Sequence, residues 1–194
     1  MQNILIAIVY HSGAGHTASQ ARAVGRGVDR VPGAAHLLLT SEEAQGKWDE
    51  LERSDGIIFG APTYMGSASA QFKGFMDASS KAYFRGAWRD KVAAGFTNSA
   101  SRSGDKLDTL IQFAIFAAQH GMHWVSLGLS PGNNRSSGSE HDLNRLGFFL
   151  GAGAQSNVDE DPSSAPPKSD LLTAERLGER VALVTIQLVR GRSL

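Results

Sequence analysis

The chain has no cysteine among its 194 residues. Disulfides, thiolate metal sites and cysteine nucleophiles are therefore excluded. It also lacks net charge, with 19 basic side chains matching 19 acidic ones. A nucleic-acid surface normally needs a basic excess, so no nucleic-acid partner is expected. The same balance speaks against a strongly acidic electron carrier that docks on basic partners. Long apolar runs are missing too. Ile4 to Val9 is too short for a signal-peptide core or a membrane span, and no basic segment precedes it. The histidines are scattered and form no His-Glu-x-x-His or similar spacing, so no metal site is expected. Gly66-Ser67-Ala68-Ser69-Ala70 lacks the second glycine of a serine-hydrolase elbow. What is present is an ordinary globular balance, 41% hydrophobic and 20% charged. That is enough for one domain, residues 1–194, with a sizeable core. A soluble cytoplasmic protein is expected.

Short apolar runs alternate with helical patterns. Ile4–Val9 is continuous and β-branched, as in a strand buried on both faces. Thr17–Val28 has helical spacing. Ala35–Leu39 is a short strand, and Glu42–Leu51 a weak helix with Ser41 as a candidate N-cap. Gly56–Gly60 is a third strand, stopped by Pro62. Ser69–Lys81 is a helix with Phe72, Phe75 and Met76 on one face. Val92–Phe96 is the fourth strand, Asp105–His120 a helix, and His123–Leu127 the fifth strand. Ser130–Asn144 is a polar loop, and Pro- and Ser-rich residues 157–168 form an exposed one. Ser169–Val189 closes the chain as a helix. Five βα repeats predict an α/β three-layer sandwich, with a five-stranded parallel sheet of order 2-1-3-4-5 and helices on both faces.

Ligands of such sheets bind at the carboxyl ends of the strands, near the switch in strand order. The turns after strands 1, 3 and 4 are all distinctive. Ser12-Gly13-Ala14-Gly15-His16-Thr17 sets hydroxyls at both ends of a glycine-rich turn that opens a helix. Hydroxyls, backbone N–H groups and the helix dipole suit a phosphate. The loop has no Lys or Arg, so it is neither a P-loop nor a dinucleotide G-x-G-x-x-G turn. Taken alone, an ordinary glycine-rich βα turn is about as good a reading. Pro62-Thr63-Tyr64-Met65-Gly66 offers Tyr64 and Met65 as an apolar wall for a flat ring, or as a rim aromatic and a core filler. Asn98-Ser99-Ala100-Ser101-Arg102-Ser103 is dense in donors for a ring's polar edge, or for capping the next helix. In this order the three loops point to a monophosphate followed by a flat ring, hence FMN before a dinucleotide.

The constellation resembles the flavodoxin superfamily, and within it the WrbA-type NAD(P)H:quinone oxidoreductases. Ser12 to Thr17, Phe59-Gly60-Ala61-Pro62-Thr63 with Gly66, and Ser69-Ala70-Gln71-Phe72-Lys73 to Phe75-Met76-Asp77 carry the likeness. So do His120-Gly121-Met122 and the closing segment from Ser169-Asp170-Leu171 to Arg180-Val181-Ala182. The resemblance implies a flavodoxin-like fold, noncovalent FMN, NAD(P)H as co-substrate and a quinone-like acceptor, with ping-pong turnover. It implies Ser12, Gly13, Ala14, Gly15, His16 and Thr17 around the phosphate, and Pro62, Thr63, Tyr64, Met65 and Gly66 beside the isoalloxazine. It implies Asn98, Ser99, Ala100, Ser101, Arg102 and Ser103 at the ring edge and ribityl chain. His120 becomes the catalytic candidate, able to hydrogen-bond or protonate a quinone oxygen. Tyr83 joins it on the substrate face, where Trp88 is near enough in sequence to help. A homo-oligomer, dimer or tetramer, is expected.

The departures from the family are specific. The long insertion between strands 2 and 3, which helps build the family's tetramer, is missing. Ala14 replaces an aromatic associated with the nicotinamide nucleotide, Tyr64 replaces a basic residue, and the third loop is poorer in glycine and adds Arg102. The segment from Phe148 to Ala154 is apolar, and suits a subunit contact, a cover for the flavin or burial within the monomer. Two alternatives stand beside the enzyme: a flavodoxin-type FMN carrier without substrate turnover, and a regulatory protein that has lost the cofactor.

Overall fold

The computed structural model describes residues 3–191. In chain order the elements are β1 (Ile4–Tyr10), α1 (His16–Asp29), β2 (Ala34–Thr40), α2 (Ser41–Ala44), α3 (Trp48–Arg53), β3 (Gly56–Tyr64), β4 (Ser67–Ala68), α4 (Ala70–Ala78), α5 (Ser80–Arg85), β5 (Val92–Ser99), α6 (Lys106–Gln119), β6 (His123–Trp124), β7 (Ala152–Gln155) and α7 (Lys168–Gly191). The main sheet runs β2-β1-β3-β5-β6 with parallel neighbours, and β4 folds back antiparallel on β3. This is the flavodoxin-like order 2-1-3-4-5, with one difference in the fifth strand.

That strand is made in two pieces. β6 pairs with Val92 and Ala93, while β7 pairs with Phe96 to Ser99 further along the same edge of β5. The chain leaves the edge after Trp124 and returns at Ala152, so the expected strand His123–Leu127 is cut short. Residues 125–151 lie between the two pieces. Ala152 and Ala154 are fully buried, and the Gln20 amide of α1 donates to the Ala152 carbonyl. Burial within the monomer is thus the outcome for residues 151–154, though Phe149 stays exposed.

Alternation along the strands divides the core into two clusters. Ile4, Ile6 and Ile8 of β1 face α1 and α7, with Ile58 and Phe96 beside them. Ala7 and Val9 face the other way, toward Phe59, Phe72, Phe75, Trp88, Phe113 and Phe116. The expected helix over 42–51 is two short ones. Thr40, not Ser41, is the N-cap, and its side chain and that of Glu43 close a reciprocal capping box. The helix over 69–81 also divides, at Ser79, whose hydroxyl donates to the Met76 carbonyl at 2.6 Å. Pro62 does not end β3. β1 pairs with it only as far as Gly60, so Pro62 stands where that side of the strand has no partner to serve.

Candidate functional site

Three loops meet at the carboxyl end of the sheet around a cleft of about 800 Å³. Its size suits a small-molecule or cofactor site. Ser12, Ala14, His16 and Thr17 line one end. Gly15 is the N-cap of α1 with φ 90°, a left-handed conformation that glycine adopts without strain. Its carbonyl accepts the first helical bond from Ser19 N–H at 3.1 Å, and Ser12 Oγ accepts from Ala18 N–H at 3.1 Å. The N–H groups of His16 and Thr17 belong to the first turn, which has no carbonyl one turn back to meet them. They are donors for an anion, reinforced by the helix dipole. Among the described residues, no Lys or Arg lines the cleft. His11, just before the loop, contacts Ser69 Oγ at 2.8 Å, and burial holds its imidazole below the ordinary range against the pull of Glu42. Backbone dipoles and hydroxyls are thus the groups this end of the cleft offers to an anion.

The second loop supplies the walls. Pro62, Thr63, Tyr64, Met65 and Gly66 all line the cleft. Met65 is held at φ 49° with its side chain fully exposed, and Tyr64 is 47% exposed. Val158, from the segment after β7, adds a third exposed apolar face to the same cleft. Tyr64 lies across the first loop, where a Cβ on Gly13 would stand 2.4 Å from its hydroxyl. Thr63 is tied down by a chain of hydroxyls. Thr109 Oγ1 donates to Thr63 Oγ1, which donates to Thr97 Oγ1, each at 2.8 Å, and Thr97 donates to the Ala61 carbonyl at 2.7 Å. This chain locks the second loop to β5 and α6.

The third loop contributes Asn98, Ser99, Ala100 and Ser101, and beyond them Gly104 and Asp105. Asn98 is buried and donates to Ser156 Oγ at 2.9 Å. Under the loop lies a buried ion pair. Arg145 reaches both oxygens of Asp170 at 2.8 and 2.9 Å. Asp170 also accepts Gln155 N–H at 2.9 Å, and the Gln155 amide donates to the Ala100 carbonyl at 2.9 Å. Residues 157–168 do not hang free. His16 Nε2 donates to the Glu160 carbonyl at 2.8 Å, Ser19 Oγ donates to that of Pro162 at 3.0 Å, and Pro162 covers Gly15.

The fold therefore gathers Ser12, Ala14, His16, Thr17, Pro62 to Gly66 and Asn98 to Ser101. Gly13 and Gly15 shape the turn without lining the cleft. Arg102 and Ser103 stand outside it, and the Arg102 guanidinium pairs with Glu140 instead. His120 and Tyr83 are also elsewhere. α6 starts beside the cleft and its 14 residues carry the chain about 20 Å toward the amino end of the strands. His120 is packed there against Trp88, with ring centroids 4.2 Å apart, and Tyr83 meets its edge at 5.9 Å. Burial pushes the His120 pKa down to about 4. Its Nε2 donates to Ser79 Oγ at 3.0 Å, while Nδ1 is buried without a partner. This neutral imidazole carries no extra proton at pH 7, so the expectation of a ready proton donor does not hold. Trp88 is fully buried in the core and lines no ligand face. Gly104 closes the expected third loop and also lines the cleft, whereas Ser156, Val158 and Asp105 carry no expectation from the sequence. Among the described residues, no three His, Asp or Glu side chains are grouped to hold a metal ion, and no helix is long and apolar enough to cross a membrane.

The cleft fits FMN on its own features: an anion-ready helix start at one end, exposed apolar walls beside it and a polar loop beyond. Fold and cleft together define a flavodoxin-like protein. Residues 34–131 match the model of the NADPH-dependent FMN reductase family. Over 184 residues the chain is 46% identical to flavodoxin FldP of Pseudomonas aeruginosa, covering 93% of this chain and 96% of that one. Over 208 residues it is 31% identical to an NAD(P)H dehydrogenase (quinone) of Solidesulfovibrio magneticus, covering 94% and 98%. A solved structure, the flavodoxin, WrbA-like protein from Agrobacterium tumefaciens, matches with TM-score 0.73 at 40% identity, covering 95% and 99%. The chain belongs to the NADPH-dependent FMN reductase family, as a WrbA-type member of the flavodoxin superfamily.

Proposed function

We propose that the chain binds FMN in this cleft and passes electrons from NAD(P)H to a quinone or similar flat acceptor. One observation carries the reading. A single cleft holds, in order, the open first turn of α1, the exposed faces of Tyr64, Met65 and Val158, and the polar loop after β5. Ser12, Thr17 and the first-turn N–H groups hold the phosphate. Tyr64 and Met65 cover the ring and keep water from it. Asn98 to Ser101 orient its polar edge. Bound FMN supplies the hydride chemistry, and the protein supplies position and electrostatics. Relatives named NAD(P)H dehydrogenase (quinone) support the choice of donor and acceptor. A cytoplasmic location belongs to the same reading, because the reaction draws on intracellular reduced nicotinamide. So does a homo-oligomer, for which Leu107, Ile111 and Ile115 offer an exposed apolar stripe along α6.

The second reading is an FMN electron carrier. It is favoured by the name of the relative at 46% identity and by the distance of His120 and Tyr83 from the cleft. One experiment separates the two. The visible spectrum is recorded with added FMN, and NADH and NADPH oxidation is then followed with benzoquinone. Turnover supports the enzyme. A flavin spectrum that accepts single electrons but shows no turnover supports the carrier. No flavin spectrum at all would sink both.

A further inference from the structure

Lys106 is an anomaly by two criteria. It is the first residue of α6, where the helix dipole disfavours a cation. It is also fully buried, where an ammonium gives up its water. Its position is explained by what it holds. Nζ donates to the carbonyl oxygens of Ser101, Arg102 and Ser103 at 2.6, 3.0 and 3.3 Å. Three consecutive carbonyls of the third loop are thus turned inward onto one charge. Across a trans peptide the next N–H points the opposite way. The N–H groups of Arg102, Ser103 and Gly104 therefore point away from Nζ, and Ser101 and Gly104, at the two ends of this row, line the cleft. A row of such N–H groups is an anion-seeking surface.

We propose, on the FMN reading of the cleft, that Lys106 is a positioning residue: it holds the third loop so that these N–H groups, backed by a buried positive charge, meet the electron-rich polar edge of the flavin ring. That edge gains negative charge when the ring is reduced, so fixed donors with a cation behind them favour the reduced form. The charge on Lys106 is conditional. Burial lowers its pKa to about 8, with Asp170 of α7 opposing the shift and Arg145 of residues 125–151 adding to it. On its own loop, Arg102 turns away to Glu140 and Asp105 is exposed. The ammonium is therefore charged at pH 7 and loses its charge as pH rises through about 8.

The test is FMN binding and redox titration of the full chain, in wild type, Lys106→Met, Lys106→Gln and Lys106→Arg. Lys106→Met is expected to weaken oxidised FMN about threefold and reduced FMN about thirtyfold. The tenfold difference lowers the two-electron midpoint potential by about 30 mV. Lys106→Arg is expected to keep most of the wild-type preference and to hold it above pH 8, where wild type loses it. If Lys106→Met does not fold, Lys106→Gln and the wild-type pH profile between 7 and 9 give the same readout. Equal weakening of both redox forms, with potential and pH profile unchanged, would show that Lys106 merely keeps the loop folded, and would overturn the proposal. Wild type that binds no FMN would overturn the cleft reading itself, and no variant is needed to see it.

Discussion

On one face of the sheet, α1 and α7 cross at backbone contact. A Cβ on Gly27 would stand 1.9 Å from the Glu175 carbonyl oxygen, and one on Gly178 would stand 2.0 Å from that of Val24. Arg26 and Arg30 then close over Glu175 at 2.8 and 2.5 Å. On the other face the layer is filled by rings. Phe72 and Phe113 lie 4.9 Å apart, Phe59 and Phe116 5.1 Å, and Phe75 stacks on Trp88 at 6.2 Å. The first face is fixed by the shape of two backbones, the second by side chains that can turn. The division matches what each face carries. α1 begins at the first loop of the cleft, while α4 and α6 follow the loops that wall the rest of it.

The sharpest way to break this comparison is Gly178→Ala. The added methyl group meets backbone, which cannot rotate aside, so α1 and α7 must separate. The expected loss exceeds about 3 kcal/mol, beyond the usual range for overpacking. Urea unfolding measures it. A loss under about 1 kcal/mol would show that the two helices are not held at backbone contact.

Acid should act on the ring face, through His120. Its pKa is about 4 in the folded protein, against an ordinary 6.5 when unfolded. Between those values the unfolded chain takes up a proton that the folded one refuses. The contribution is fully present above pH 6.5 and is lost as pH falls toward 4. By pH 5 the loss amounts to about 2 kcal/mol. His120→Gln should remove most of that difference when urea midpoints at pH 7 and pH 5 are compared. If both proteins lose the same stability, the acid-sensitive group is elsewhere.

Much of this contrast was legible in the residues. Ile4 to Val9 is apolar at every position, which a strand covered on both sides requires. α1, α6 and α7 lie within a residue or two of their expected bounds, because apolar residues recur along one stripe. The two-piece fifth strand was not legible. Gly151-Ala152-Gly153-Ala154 has no β-branched residue, and its place comes from pairing with β5 some 55 positions earlier, as in Asn98 with Ala154. The roof over Gly15 is hidden for the same reason, since Pro162 reaches it across the whole chain. Cleft residues that belong to the three turns were found from their strands, whereas Ser156 and Val158 carry no local signal. Lys106 did carry one. It falls on the buried stripe of Leu110, Phe113 and Ala117, where a lysine is out of place. His120 and Tyr83 are set beside the flavin by resemblance, but the length of α6 takes His120 away from the cleft within one chain, and Tyr83 of α5 packs beside it there.

A moderate probe of the ring face is Phe72→Leu. Phe72 is fully buried between Phe59, Phe75 and Phe113. Leucine leaves a gap that neighbouring rings can turn to fill. The expected loss is about 1.5 kcal/mol, well below the ~3–5 kcal/mol of truncation to alanine. Removing several carbons here should therefore harm the protein less than adding one at Gly178. The opposite ranking in urea unfolding would mean that the rings are locked as firmly as the backbones.

The smallest effect has the opposite sign. Gly74 lies inside α4, on the ring side, and a Cβ added there meets nothing within 4 Å. Its φ is not in the left-handed region, so alanine fits the backbone as it stands. Alanine is the better helix former by about 0.8–1 kcal/mol, and it also narrows the unfolded ensemble. Gly74→Ala should raise stability by somewhat less than 1 kcal/mol, seen as a higher urea midpoint with unchanged slope. The same one-carbon substitution would then destabilise one layer and stabilise the other. A loss at Gly74 would show that α4 is also pressed against a neighbour, and that the looser packing assigned to this face does not extend to its outer helices.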